Sequence, residues 1–105
     1  MYLKAFYSNY NSKVFLVFEN KMEVLTHFEI LRNGQVIDFL SKEDLHKPEE
    51  FDLDHHTNLF RKNSKYELCY HDESVQMFQT YEYQVKGYQE DKEIISSNLV
   101  ILKIL

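Results

Sequence analysis

Hydrophobic and polar residues alternate along most of the chain in short runs, the pattern of half-buried β-strands. The clearest runs are Lys13–Glu19 and Thr80–Tyr88. In the first, Val14, Leu16 and Phe18 share one face of the predicted strand. Further strands are predicted at Tyr2–Tyr7, Thr26–Leu31, Val36–Leu40, Tyr66–Tyr70 and Ile94–Leu105, the last interrupted at Ser96-Ser97-Asn98.

Turn signals separate these runs. Asn33-Gly34 lies between two apolar runs, and because both residue types tolerate positive φ, the pair predicts a hairpin. Ser41 precedes Asp44 as in a helix cap, but Pro48 limits any helix there to a single turn. We therefore expect residues 1–105 to form a single all-β domain, an antiparallel β-sandwich of seven to eight strands.

The inward faces of the predicted strands should form one core between the sheets. Aromatic and β-branched residues, which favour strands, supply most of it. The predicted core residues are Leu16, Phe18, Phe28, Ile30, Tyr83, Val85, Val100 and Leu102.

Four segments resemble the fibronectin type III family. Tyr81–Tyr88 is similar to its sixth strand, and Ser97-Asn98 followed by Val100 is similar to the opening of its last strand. Phe28–Gly34 resembles the hairpin after the third strand, and Val14–Phe18 resembles the second strand. An immunoglobulin-like sandwich of related topology also fits these residues.

The resemblance carries expectations about structure and role. It implies that Tyr81 is a corner residue whose hydroxyl bonds to upstream backbone. Phe18 stands where the family usually has Trp, Met77 stands where it has Pro, and Ser41–Lys65 is longer than its counterpart. The resemblance implies a passive module that binds proteins or spaces other domains, often outside the cell in bacteria.

The charge of the chain argues against nucleic acid as a partner. The net charge is −5, from 12 Lys and Arg against 17 Asp and Glu, and no basic stripe is present, which argues against nucleic-acid binding.

The sequence contains no run of 18 apolar residues, so no membrane span is predicted. If Met1 is the native start, the polar first residues and the single cysteine predict a cytoplasmic protein. A piece of a longer secreted chain would look the same.

Two groups of residues are candidates for chemistry. Cys69 lies two residues before His71, on the same face of a predicted strand, but a buried structural thiol is the favoured interpretation. The acidic segment around Leu53 carries two carboxylates and two imidazoles, a set suited to a divalent metal, but a solvated loop is favoured. We expect no cofactor and no catalysis. The four metal-capable residues are Asp52, Asp54, His55 and His56.

The outward faces of two predicted strands are apolar where polar residues are expected. These residues are candidates for a surface that binds a protein partner or a second copy, because an apolar edge strand invites pairing. In the competing explanation, the segment Ser41–Lys65 covers one of these faces. The candidate residues are Phe15, Val17, Leu99, Ile101 and Leu105.

Two other functions remain open from the sequence. Exposed tyrosines can stack on sugar rings, which would make the chain a carbohydrate-binding module. A small acidic protein can also inhibit a larger enzyme. So small a sandwich does not need all of its tyrosines inside, although packing in the core or in cross-strand pairs is favoured for most of them. The candidates are Tyr7, Tyr10, Tyr66, Tyr70 and Tyr88.

Overall fold

The computed structural model describes residues 1–45 and 67–105. They form two antiparallel sheets packed together, which confirms the predicted all-β sandwich. The strands are β1 (Leu3–Ser8), β2 (Lys13–Glu19), β3 (His27–Arg32), β4 (Gln35–Ser41), β5 (Glu67–Asp72), β6 (Thr80–Gln89), β7 (Lys92–Ser96) and β8 (Val100–Lys103).

The two sheets contain three and five strands. The smaller sheet has the order β1-β2-β5, and the larger has the order β4-β3-β6 with β7 and β8 both paired to β6. β7 pairs with Lys86–Gln89 and β8 pairs with Thr80–Tyr83, so the two follow one another along the same edge of β6. Together they form a single broken edge strand.

The core lies between the sheets, where the alternation predicted it. Six of the eight predicted core residues, from Leu16 to Val85, are fully buried. The other two, Val100 and Leu102, are half-buried and pack against the same cluster. Leu3, Val14, Leu25 and Ile104 complete much of the interior.

The β3–β4 hairpin turns at the predicted Asn33-Gly34 pair. Both residues adopt left-handed backbone conformations, with φ of 53° and 78°. The turn is also tied to β6, because the Asn33 N–H donates to the Glu82 carbonyl at 2.7 Å. The Glu82 N–H in turn donates to Asn33 Oδ1 at 2.9 Å.

The predicted interruption of the last strand has a hydrogen-bonding cause. Ser97 Oγ accepts the Val85 N–H at 2.9 Å, and the Ser97 N–H donates to the Val85 carbonyl at 2.8 Å. Asn98 reaches the other sheet: its Oδ1 accepts the Leu3 N–H at 2.8 Å and its Nδ2 donates to the Leu3 carbonyl at 3.1 Å. The break therefore fastens the start of β1 beside the start of β8.

Two smaller expectations also hold. The Tyr81 hydroxyl accepts the backbone N–H of Gln76 at 2.8 Å, as expected of a corner tyrosine. A single 3-10 turn at Lys42–Asp44 follows β4, in agreement with the limit of one helical turn. No helix within residues 1–45 and 67–105 is long and apolar enough to cross a membrane.

Candidate interaction surface

The edge strand β8 divides its side chains between the core and solvent. Ile104 is fully buried, while Val100 and Leu102 are half-buried on the same face. The alternate residues point away from the core and are exposed: Leu99 by 56%, Ile101 by 69% and Leu105 by 72%. Three of the five residues predicted for a partner surface are therefore exposed: Ile101 lies on β8, and Leu99 and Leu105 flank it.

The other two predicted surface residues are buried. Phe15 and Val17 do face away from the inter-sheet core, but they are only 2% and 4% exposed. They pack with Cys69 in a second buried cluster, where the Phe15 ring stacks on Phe6 with centroids 5.3 Å apart. β2 is central in its sheet and is buried on both faces. A role of these two residues in partner binding stays a prediction. The segment proposed to cover them falls largely within residues 46–66, outside the described residues.

Backbone groups of β8 also face solvent. The Ile104 N–H donates to the Gln79 carbonyl at 2.9 Å, and the Ile104 carbonyl accepts the Phe78 N–H at 2.7 Å. Because backbone groups alternate between the two sides of a strand, Ile101 and Lys103 direct their N–H and C=O groups away from β6. Within the described part of the chain, β8 pairs with β6 alone.

Phe78 extends this surface and has an uncommon backbone. It is 75% exposed and has φ of 67°, a left-handed conformation that bulky residues rarely adopt. Phe78 and Gln79 together lie opposite Ile104 and form a β-bulge. Phe78 occupies the left-handed position of this bulge, where Gly is usual. Sequence reasoning did not single out Phe78, although Met77-Phe78 is an apolar pair shortly before β6.

Met77 and Phe78 therefore adjoin the end of β8, because the Phe78 N–H bonds to the Ile104 carbonyl. We define the β8 surface as the outward face and open edge of β8 together with the adjoining bulge. Its apolar members are Met77, Phe78, Leu99, Ile101 and Leu105.

A buried carboxylate joins the two sheets elsewhere. Asp72 is 3% exposed, and its Oδ2 accepts hydrogen bonds from Arg32 and from the Tyr83 hydroxyl, both at 2.8 Å. Burial alone would raise the pKa of Asp72, but the hydrogen bonds from Ser74, Arg32 and Tyr83 outweigh it and lower that pKa. Burial, and then the hydrogen bond to Asp72, raise the pKa of Tyr83. Arg32, Ser74 and Tyr83 all donate to Asp72, so the cluster acts as a structural connection.

An acidic groove of about 440 Å³ opens beside this cluster, between β4 and β5. Asp38 and Asp72 line it, but both carboxylates are already used inside the protein. The Tyr70 hydroxyl donates to Asp38 at 3.2 Å, and burial followed by the Asp38 charge raises the pKa of Tyr70. The groove therefore contains a hydrogen bond that joins the two sheets.

Cys69 has the environment of a structural thiol. It is fully buried, and burial followed by the charge of Glu67 raises its pKa to about 12. The thiol is therefore protonated at neutral pH and lacks the nucleophilic form.

The remaining candidates are dispersed or lie outside the described residues. Asp52, Asp54, His55 and His56 fall in the undescribed segment, as does Tyr66. No group of three or more His, Cys, Asp and Glu side chains in residues 1–45 and 67–105 is placed to share a metal ion.

The tyrosines do not form a common platform within the described residues. Tyr2 and Tyr10 are the most exposed, at 59% and 83%, but they flank opposite ends of β1. Tyr7, Tyr70 and Tyr88 are half-buried. Tyr88 lies beside the Phe39 ring, with centroids 5.2 Å apart. The carbohydrate alternative stays a prediction.

Comparisons with protein-family models, with curated proteins and with solved structures found no match for this chain.

Proposed function

We propose that the chain is a non-catalytic protein-binding module that uses the β8 surface to bind a partner. The supporting observation is that exposed apolar side chains and unpaired backbone groups occur together on β8 and the residues that flank it. Ile101, which is 69% exposed, lies at its centre. A partner strand that pairs with this edge would bury the apolar side chains and satisfy the backbone groups together.

We further propose that the sandwich is of the fibronectin type III kind. The three-stranded order β1-β2-β5 and the placement of β4 beside β3 support this assignment. The hydrogen bond between the Tyr81 hydroxyl and the Gln76 N–H also supports it. Such domains present edge strands on a rigid scaffold, which suits a binding role better than a catalytic one.

The experiment is affinity capture with three immobilised proteins: the parent, Ile101→Lys and Val36→Lys. Val36 is the matched control, because it is an aliphatic residue on the opposite edge strand β4 and is 53% exposed. A partner retained by the parent and by Val36→Lys, but lost from Ile101→Lys, supports the proposal. Equal retention by all three proteins would overturn it. Circular dichroism spectra must show that both variants are folded.

Inhibition of a larger enzyme also stays a prediction, and it too requires binding to a protein. An acidic inhibitor would bind its target through a docking surface, so the captured partner decides between the two functions. A captured enzyme that loses activity when the module is added identifies an inhibitor. A captured protein without enzymatic activity identifies an interaction module.

A further inference from the structure

We propose that the occupant of the β8 surface is a second copy of this chain, paired antiparallel through β8 about a two-fold axis at Leu102. The inference rests on the proposed function of this surface. In this register Ile101 lies opposite Lys103 of the second copy. Leu99 lies opposite Leu105 of the second copy.

The backbone favours a register of this kind. Ile101 and Lys103 direct their N–H and C=O groups to the open side of β8, as the bonds of Ile104 to the β6 side require. An antiparallel partner satisfies these groups only when its own outward-directed residues lie opposite them. Pairing Ile101 with Lys103 meets this condition twice, once on each side of the axis.

The side chains of the outer face are self-complementary about Leu102. The face reads Leu99, Ile101, Lys103 and Leu105, so a reversed copy places leucine opposite leucine at both ends. Sliding the register by two residues in one direction places Lys103 opposite Lys103 of the second copy, and like charges directly opposite are destabilising. Sliding it the other way places Lys103 opposite Leu99 and leaves Leu105 without an apolar partner.

Charge complementarity supplies the argument for a second copy over an unrelated strand. Glu82 is the cross-strand neighbour of Ile101 on β6. Within the described part of the chain, neither Glu82 nor Lys103 takes part in an ion pair. In the dimer, Lys103 of the second copy lies beside Ile101 and extends toward Glu82, and symmetry forms the same pair again.

The test combines molar mass in solution with charge reversal. Sedimentation equilibrium of the parent should show a reversible monomer–dimer equilibrium. Lys103→Glu and Glu82→Lys should each weaken dimerisation by about tenfold, because each variant places two like-charge contacts across the axis. The double variant Glu82→Lys, Lys103→Glu keeps the parent net charge of −5 and should restore most of the affinity. Failure of the double variant to recover affinity would overturn the register.

Disulfide formation provides an independent measure of the register. Cys69 is fully buried, so a cysteine introduced on the surface is the reactive thiol. Leu99→Cys and Leu105→Cys should cross-link when the two variants are mixed, because these positions face each other. Each variant alone should cross-link far more slowly. Equal cross-linking of the mixture and the separate variants would contradict the proposed pairing.

The outcomes separate this inference from the proposed function. A parent that stays monomeric at high concentration, yet captures a partner in an Ile101-dependent way, overturns the second copy and leaves the binding module intact. A parent dimer that is insensitive to Ile101→Lys overturns the second copy at β8, because the contact then lies elsewhere. The proposed function is overturned by equal capture with all three immobilised proteins.

Discussion

Arg32 on β3 and Asp72 at the end of β5 form an ion pair between the two sheets, with Arg32 Nη1 2.8 Å from Asp72 Oδ2. The side chain of Arg32 is 23% exposed and that of Asp72 is 3% exposed. The guanidinium also lies over the Tyr81 ring, 5.6 Å from its centroid. A carboxylate this deeply buried is tolerated because charged and neutral donors satisfy both of its oxygens.

Replacing Asp72 with Asn should destabilise the protein by about 3 kcal/mol, because it removes one partner of a buried pair. The matched control is Glu73→Gln, since Glu73 forms an exposed pair with Lys13 at 3.2 Å. An exposed pair of that kind contributes about 0–1 kcal/mol. Denaturant unfolding measures both variants, and equal losses would contradict a special role for Asp72.

The free energy of unfolding should depend on pH through the Asp72 carboxylate. Because the pKa of Asp72 is lowered in the folded state, its contribution is fully present above the unfolded value of about 3.9. The contribution is lost as the pH falls through the folded pKa. The free energy of unfolding should therefore decline more steeply in acid for the parent than for Asp72→Asn. Parallel curves for the two proteins would contradict this prediction.

Cys69 should be unreactive in the folded protein. Its pKa of about 12 leaves little thiolate at pH 8, and its burial excludes reagents. Alkylation should be slower than in the denatured protein by on the order of a thousandfold or more. The reaction is followed by mass spectrometry with and without guanidinium. Similar rates in the two conditions would show that the thiol is accessible in the folded state.

The sequence predicted local features better than long-range contacts. Asn33-Gly34 was predictable because few residue pairs accept two consecutive left-handed conformations, and the structure has φ of 53° and 78° there. The pairing of Arg32 with Asp72 was not predictable, because it depends on how two sheets meet across 40 positions of sequence.

Alternation also has a specific limit, which Phe15 illustrates. It correctly placed Phe15 away from the inter-sheet core, but it gave no information on whether that outer face is covered. The same reasoning succeeded for Ile101, which lies on an edge strand and is exposed. Phe78 was missed because its residue type gives no indication of a left-handed backbone.

Gly87 should not tolerate a side chain. It is buried on β6, and a Cβ added there would lie 2.7 Å from Leu25 Cδ1 and 3.2 Å from Ile95 Cγ2. Gly87→Ala should therefore cost about 1–3 kcal/mol of stability through overpacking. Thermal and denaturant unfolding provide the measurement.

A double-mutant cycle identifies the cause of that loss. If the clash with Leu25 dominates, the combined variant Gly87→Ala, Leu25→Ala should be less destabilised than the sum of the two single variants. Gly34→Ala serves as a contrasting control, because nothing lies within 4 Å of its added Cβ but its φ is +78°. Its cost of about 1 kcal/mol would arise from the backbone alone. Simple additivity at Gly87 and Leu25 would exclude the clash.

Phe78 should limit the stability of the monomer. Its left-handed backbone, with φ of 67°, is unfavourable for a bulky residue, and its side chain is 75% exposed. Phe78→Gly should therefore raise the free energy of unfolding by about 1 kcal/mol. Met77→Gly is the control, because Met77 is not among the positive-φ residues and should gain nothing. Denaturant unfolding at a concentration where the protein is monomeric measures both.

The same Phe78→Gly variant should bind less well through the β8 surface. Strain in a folded protein persists where it serves a function, and an exposed aromatic ring next to the edge strand is suited to anchor a contact. Stability and association should therefore change in opposite directions, with the monomer strengthened and the dimer weakened. Phe78→Asn, which also tolerates the left-handed conformation, should reproduce both effects. If either variant is stabilised while its dimerisation is unchanged, the ring takes no part in the interface.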